Sequence, residues 1–88
     1  MNSHISKQFR DLFRELPKEI RATGRKSYKL FKRNSSHPSV RFKKIKGSMY
    51  SVRIGIGYRA VGIVNGNDVV WFWVGSHTDY DKVIGKRK

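Results

Sequence analysis

The chain has 88 residues and carries 20 Lys and Arg against 6 Asp and Glu, a formal charge of +14. A folded chain of this length buries roughly 60–65% of the surface that it exposes when unfolded, which supports one modest core and predicts a single domain over residues 1–88. The chain has no cysteine, which excludes disulfides and a cysteine nucleophile. No apolar run approaches the ~18 residues of a membrane span, and the polar start lacks a signal sequence, so we expect a soluble, cytoplasmic protein.

Positive charge is concentrated in the middle of the sequence. Between Glu19 and Asp68 there are twelve Lys and Arg residues and no acidic residue. Like charges repel one another in a compact state, and a polyanionic partner relieves that cost. Nucleic acid is the first candidate because each neutralised phosphate releases counterions, an acidic protein is the second, and an anionic membrane surface is the third. A basic protein without such a partner is the remaining alternative.

Two helices are predicted in the N-terminal third. A helix over about residues 5–16 follows from apolar residues at positions i, i+3, i+4 and i+7, namely Phe9, Leu12, Phe13 and Leu16. Ser3 or Ser6 could cap its start, and Pro17 ends it and fits the first turn of a second helix that extends to about Lys32. Gly24 in that helix suggests close contact between the two. We expect an antiparallel helical hairpin.

After the loop at residues 34–38 the apolar period changes to two, which indicates strands. The predicted strands are an edge strand around residues 40–43 and longer strands over residues 50–54, 58–64 and 69–74, with a hairpin turn at residues 65–67. A short helical turn is expected over residues 79–84, before a basic tail. The predicted fold class is therefore α+β, with the helical hairpin packed on one face of a three- or four-stranded antiparallel sheet.

The other face of this sheet is predicted to be open and cationic. If Val52 and Ile54 face the helices, Ser51 and Arg53 face away from them, and we place Arg59 on the same open face. Aromatic residues from either the Trp71 and Trp73 side or the Phe72 side of the last strand would lie beside these arginines, although core filling is the simpler explanation for each of them taken singly. A cationic, partly aromatic sheet surface suits single-stranded RNA, whose bases stack and whose phosphates pair with arginines.

His77 is the histidine best placed for catalysis, because it directly follows the central strand, and Tyr80 lies three residues later, on the same face of a helical turn. Two proton-transfer groups beside Arg53 and Arg59 suit phosphodiester cleavage by a ribose 2′-hydroxyl. The alternative is that His77 caps the strand while Tyr80 packs on the core. No spacing of acidic residues or histidines indicates a metal site.

These segments together resemble the RelE/ParE toxin superfamily, and more narrowly its HigB-like branch. The segments that carry the resemblance are Leu16-Pro17, residues 37–43 (HPSVRFK), residues 50–54 (YSVRI), Tyr58-Arg59-Ala60 and residues 71–81 (WFWVGSHTDYD). The resemblance covers roughly residues 5–84. It implies the toxin of a type II toxin–antitoxin system, a metal-independent endoribonuclease that cleaves messenger RNA on the ribosome without a cofactor. It also implies an acidic antitoxin as partner.

The resemblance implies a role for individual residues. It assigns Arg53 and Arg59 to the scissile phosphate, and His77 and Tyr80 to acid–base catalysis. The positions that it implies for RNA binding are Lys43, Lys44, Lys46 and Ser51. The sequence departs from the family in two ways: residues 1–6 are too short and polar for the first strand of many members, and Ser51 stands where a second basic residue is frequent. The alternatives are a ParE-like, non-enzymatic inhibitor of DNA gyrase and a non-catalytic RNA-binding module.

Overall fold

A computed structural model describes residues 1–85, so the end of the basic tail, residues 86–88, lies outside the described part of the chain. The elements in chain order are β1 (Asn2–Ile5), α1 (Lys7–Arg14), α2 (Lys18–Arg33), β2 (Lys43–Lys46), β3 (Met49–Ile54), β4 (Tyr58–Asn65), β5 (Asp68–Ser76) and α3 (His77–Val83). The strands form one sheet in the order β1-β5-β4-β3-β2, antiparallel except for the parallel pair of β1 and β5. The α+β fold class is confirmed.

The two N-terminal helices form where the sequence predicts them. The Ser6 hydroxyl accepts a hydrogen bond from the Phe9 amide at 3.1 Å and so caps the start of α1. The chain leaves α1 before Pro17, which is the N-cap residue of α2. Gly24 lies against the Phe13 ring, where a β-carbon on Gly24 would come within 2.9 Å of a ring carbon. The predicted close contact between the helices at Gly24 is therefore present.

The main core lies between this hairpin and one face of the sheet, which we call the hairpin face. Its buried members are Leu16, Phe31, Val40, Val52, Ile54, Ala60, Val69, Trp71 and Val74. Phe31 meets the Trp71 ring edge to face, with 5.4 Å between the ring centroids. Aromatic packing of this kind adds about 0.5–1.5 kcal/mol to the free energy gained by burying the rings.

The prediction that the N terminus is too short and polar for a strand is wrong, and the sheet has five strands instead of three or four. The Asn2 amide donates to the Asn67 carbonyl at 2.8 Å, and the Ser6 amide donates to the Trp71 carbonyl at 3.0 Å. Backbone pairing with β5 therefore forms β1 without an apolar side-chain pattern. Ser3 fixes the strand further, because its hydroxyl accepts from the Trp71 indole and donates to the Tyr28 hydroxyl, both at 2.9 Å.

The predicted edge strand is displaced along the chain. Arg41 has a φ of 52°, in the left-handed region, so the chain does not run extended through residues 40–43, and β2 begins only at Lys43. Val40 and Phe42 still reach the core, since Val40 is buried and Phe42 stacks on Tyr50 with 4.8 Å between the ring centroids. The apolar alternation identified the core residues correctly but not the backbone conformation.

Among residues 1–85, no helix is both long enough and apolar enough to cross a membrane.

The hydrogen bonds of Ser3 make a prediction about β1. We expect Ser3→Ala to lower the free energy of unfolding by about 1–3 kcal/mol, because the buried Trp71 indole loses its acceptor. Urea unfolding measures the change. Ser48→Ala is the matched control, since Ser48 is exposed. Equal stability of the two variants would show that β1 does not hold the indole.

Candidate functional site

An irregularity in β5 separates its two tryptophans. Val61 of β4 pairs with Trp73 and Gly62 pairs with Trp71, so Phe72 is an extra residue in the ladder. Trp71 and Trp73 would share a face in a regular strand, and the bulge turns Trp71 to the hairpin face. Trp73 stays on the opposite face, where its indole lies across Gly75. The two tryptophans therefore lie on opposite faces, and only Trp73 adds aromatic surface to the face opposite the hairpin.

The two arginines lie on the face opposite the hairpin, which we call the arginine face. Arg53 of β3 and Arg59 of β4 are direct cross-strand partners, and Arg59 also pairs with Gly75 of β5. Residues directly opposite each other in an antiparallel pair point to the same face. Both side chains are partly exposed, so each guanidinium group is accessible to an anion from solvent.

His77 and Tyr80 approach the arginines from α3. The Ser76 hydroxyl accepts a hydrogen bond from the Asp79 amide and caps α3, so His77 begins the helix and Tyr80 lies one turn later. The His77 and Tyr80 rings are nearly parallel, with centroids 6.1 Å apart. The Arg59 guanidinium carbon lies 5.6 Å from the centroid of the Tyr80 ring. The structure therefore brings Arg59, Tyr80 and His77 into one cluster beside Arg53.

His77 and Tyr80 differ in accessibility within this cluster. His77 is exposed, whereas Tyr80 is only 8% exposed and belongs to the buried residues. An exposed imidazole can exchange a proton with a bound ligand. The Tyr80 ring mainly supports the Arg59 guanidinium, an arrangement that is worth about 0.5–1 kcal/mol at an exposed site. The sequence left open that Tyr80 packs on the core instead of taking part in catalysis, and the structure shows that Tyr80 is buried.

The predicted RNA-binding residues are not all on the arginine face. Lys43 pairs with Ser51, and Lys46 pairs with Met49 after a register shift, so both lysines share the face of Arg53. Lys44 pairs with Tyr50 and lies on the other side of the sheet. Ser51 lies on the arginine face but is 1% exposed, so its hydroxyl is not available for direct contact with RNA. The prediction for Ser51 does not fit its burial.

The arginine face is also less open than expected. Helix α3 packs on β4 and β5, and Val61, which lies beside Ser51 on this face, is fully buried. The helical turn predicted over residues 79–84 begins two residues earlier, at His77. Buried residues therefore lie on this face as well, and α3 covers part of it.

The positive charges of Arg53 and Arg59 are not paired with a carboxylate among residues 1–85. Among residues 1–85, Asp11 forms ion pairs with Lys7 and Arg14, a His4 ring nitrogen lies 3.4 Å from an Asp68 carboxylate oxygen, and no ion pair includes Arg53 or Arg59. Within the same residues, no three metal-ligating side chains cluster as a metal site requires. The site thus offers cationic groups and an imidazole as its chemistry.

An apolar cavity lies elsewhere, on the hairpin side. A cavity of about 250 Å³ opens on the hairpin side between α1, α2 and the sheet, and its lining is mainly apolar, including Phe9, Phe13 and Phe31. Among residues 1–85, no histidine or carboxylate lines it. Arg10, Arg25 and Tyr28 are among the lining residues, but the described lining supplies no imidazole, so we assign the candidate site to the arginine face.

Comparison with known protein families identifies the chain. The sequence profile of the ParE-like toxin domain matches residues 18–82, which is most of the chain and includes all four residues of the cluster. The chain belongs to this family. No curated protein sequence matches the chain.

Solved structures establish how the ParE-like chain folds. It is similar to a chain of the RelB-RelE antitoxin-toxin complex from Methanococcus jannaschii, with 23% identity, a TM-score of 0.73, and coverage of 91% of this chain and 96% of that one. It is also similar to a chain of the RelE-RelB complex from Pyrococcus horikoshii, with 18% identity, a TM-score of 0.69, and coverage of 85% of this chain and 92% of that one. The YoeB/ParE toxin from Agrobacterium tumefaciens is similar as well, with 16% identity, a TM-score of 0.67, and coverage of 88% of this chain and 99% of that one. The RelE-like fold is therefore confirmed, and the narrower HigB-like resemblance stays a prediction.

Sequence reasoning missed the part that Gly75 plays in this site of the ParE-like domain. A β-carbon on Gly75 would come within 2.6 Å of the Trp73 ring, so only glycine lets the indole lie across the strand beside Arg59. The available signal was the glycine two residues after a tryptophan in a strand, where glycine often marks a close approach.

We expect Gly75→Ala to displace the Trp73 indole toward solvent and to cost about 1–3 kcal/mol of stability, the range for overpacking a well-packed site. Tryptophan emission should move to longer wavelength, and the urea midpoint should fall. Gly57→Ala is the control because nothing lies within 4 Å of a β-carbon placed there. If both variants keep the wild-type emission and urea midpoint, packing of the Trp73 indole does not require glycine at position 75.

Proposed function

We propose that this chain is the toxin of a type II toxin–antitoxin system and acts as a metal-independent endoribonuclease that cleaves messenger RNA on the ribosome in the cytoplasm. The observation that carries the proposal is the cluster of Arg59, Tyr80 and His77 beside Arg53, on a face whose arginines have no carboxylate partner among residues 1–85. Membership in a toxin family supports the same function.

The arginines supply the electrostatic part of the proposed reaction. When a ribose 2′-oxygen attacks the adjacent phosphorus, negative charge increases on the phosphate oxygens. Guanidinium groups already in place stabilise this charge without reorganising, and such stabilisation is commonly the largest catalytic term. Arg53 and Arg59 are held for this purpose on neighbouring strands, and Arg59 is further fixed against the Tyr80 ring.

His77 supplies proton transfer in the proposed reaction. The imidazole accepts the proton of the 2′-hydroxyl as the bond from the 2′-oxygen to phosphorus forms. The bond from phosphorus to the 5′-oxygen breaks, and that oxygen takes a proton from the second group, the role that the resemblance implies for Tyr80. The products are a 2′,3′-cyclic phosphate and a 5′-hydroxyl, so atoms and charge balance without an activated water molecule or a metal ion.

The proposed partners follow from the charge of the chain. Its net charge of +14 favours RNA, with Lys43 and Lys46 extending the cationic surface on the arginine face. An acidic antitoxin would neutralise the same surface. The similar RelE structures from Methanococcus jannaschii and Pyrococcus horikoshii are complexes with RelB, which supports a protein antitoxin for this chain as well.

The second candidate function is ParE-like inhibition of DNA gyrase without catalysis. The observation that favours it is the family description itself, which is that of a ParE-like toxin domain. Such an inhibitor needs the fold and the basic surface but does not need His77 as a proton carrier. Dependence of toxicity on the His77 imidazole therefore separates the two functions.

The first functional prediction concerns the arginines. We expect Arg53→Ala and Arg59→Ala each to lower RNA cleavage by about 10²–10³-fold, because each removes a group that stabilises the transition state. RNA affinity should also depend less on salt, with the log–log slope smaller by about 0.7 for each phosphate that the variant no longer neutralises.

Arg25→Ala is the matched control for charge. Arg25 lies over the Phe13 ring on the hairpin side, so its removal lowers the net charge equally but away from the site. Urea unfolding should show all three variants folded. Full cleavage by both site variants would overturn the assignment of the arginine face.

The second functional prediction concerns His77. We expect His77→Gln to lower cleavage by about 10²–10⁴-fold while RNA affinity stays within about two-fold, because the exposed ring transfers a proton rather than holding the phosphate. The measurements are single-turnover cleavage and equilibrium RNA binding. Tyr80→Phe in the same assay tests the second proton donor while keeping the ring beside Arg59.

His4→Gln is the control, since His4 is exposed on β1 and pairs with Asp68 at 3.4 Å. Growth arrest by His77→Gln equal to that by the wild-type protein, with DNA replication stopping before protein synthesis, would favour the gyrase inhibitor instead.

A further inference from the structure

The turn between β3 and β4 carries an isolated apolar side chain. Ile56 is 87% exposed, far more than any other large apolar residue among residues 1–85, and it stands between Gly55 and Gly57. A single exposed apolar residue is common on protein surfaces and needs no explanation by itself. The position of Ile56, at the end of the two strands that carry Arg53 and Arg59, is what distinguishes it.

Both sides of this turn are anchored by residues of the candidate site. The Arg53 side chain donates from Nε to the Gly55 carbonyl at 2.9 Å. The His77 amide donates to the Gly57 carbonyl at 2.7 Å. Ile56 is therefore held between the phosphate-binding arginine and the start of the helix that carries the imidazole. Its backbone is fixed although its side chain makes no contribution to the core.

The proposed cleavage imposes a geometric requirement at this place. The attacking 2′-oxygen must lie in line with the bond from phosphorus to the 5′-oxygen, and the regular stacking of an RNA strand does not give that alignment. Separating the two nucleotides that flank the phosphate frees the backbone to adopt it, and correct alignment of reacting atoms accounts for much of a catalysed rate. Isoleucine is among the apolar side chains that proteins insert between stacked bases.

We propose that Ile56 is a substrate-positioning residue that inserts between the two nucleobases flanking the phosphate bound by Arg53 and Arg59. This inference rests on the proposed ribonuclease function and adds to it how the strand is opened for attack. The Arg53 side chain and the His77 amide hold the turn that carries Ile56, so binding of the phosphate and separation of the bases occur together.

The test measures base separation apart from cleavage. The probe is an mRNA oligonucleotide, free and bound to ribosomes, with a 2′-O-methyl group at the attacking position and 2-aminopurine directly after the scissile phosphate. Unstacking raises 2-aminopurine emission. We expect the wild-type protein and Ile56→Leu to raise it and Ile56→Ser to lose the rise. On the cleavable RNA, Ile56→Ser should lower kcat by about 10²-fold with KM changed by less than about three-fold.

Two comparisons make the outcome specific. Ile56 is almost fully exposed, so Ile56→Ser should keep the wild-type urea midpoint. Val70→Ser is the matched control, because Val70 is an exposed apolar residue of β5 that lies away from the turn. It should leave the emission rise and kcat unchanged.

The remaining outcomes separate this inference from the function on which it rests. If the wild-type protein cleaves RNA and Ile56→Ser gives the same emission rise and kcat, the proposed role of Ile56 is overturned while the proposed ribonuclease function is retained. If Ile56→Ser cleaves normally yet no longer arrests growth, Ile56 contacts a protein and the inference is also overturned. If the wild-type protein does not cleave RNA and the His77→Gln variant is as toxic as the wild-type protein, the proposed function itself fails.

Discussion

The extra residue in β5 is the constraint on which the arrangement of the molecule depends. Side chains alternate along a strand, so a one-residue insertion changes which face each side chain occupies. Phe72 supplies that insertion, and it sends Trp71 into the core under the helical hairpin while Trp73 remains beside the arginines. Each indole lies across a glycine, Gly62 on the hairpin face and Gly75 on the arginine face, where a β-carbon would collide with it.

This separation lets one small sheet carry two different environments. The hairpin face provides most of the buried apolar surface, and the favourable free energy of that burial offsets the repulsion of an uncompensated cationic surface on the other side. On the arginine face Val61, Ser51 and Tyr80 are also buried, and α3 packs on β4 and β5. His77 is therefore carried by a rigid element although it is itself exposed.

The candidate site draws on three elements that are tied at one turn. Arg53 and Arg59 come from neighbouring strands, His77 and Tyr80 come from α3, and hydrogen bonds from Arg53 and His77 both end on residues 55–57. A RelE-like fold alone does not determine which activity a member has, since function depends on the side chains placed on a fold. The combination of an accessible imidazole with paired guanidinium groups is what favours a ribonuclease over a purely binding toxin.

The sequence by itself determined the features that depend on a segment's own periodicity: the helical hairpin, the placement of Arg53 and Arg59 on one face of the sheet, and the placement of His77 one turn before Tyr80. Only the tertiary structure decided features that a distant segment imposes. Strand β1 exists because the backbone of β5 pairs with it, and Ser51 is buried although its alternation places it on the arginine face. Periodicity reports which way a side chain points along its own strand or helix. It carries no information on backbone partners far along the chain, or on what covers a side chain after folding.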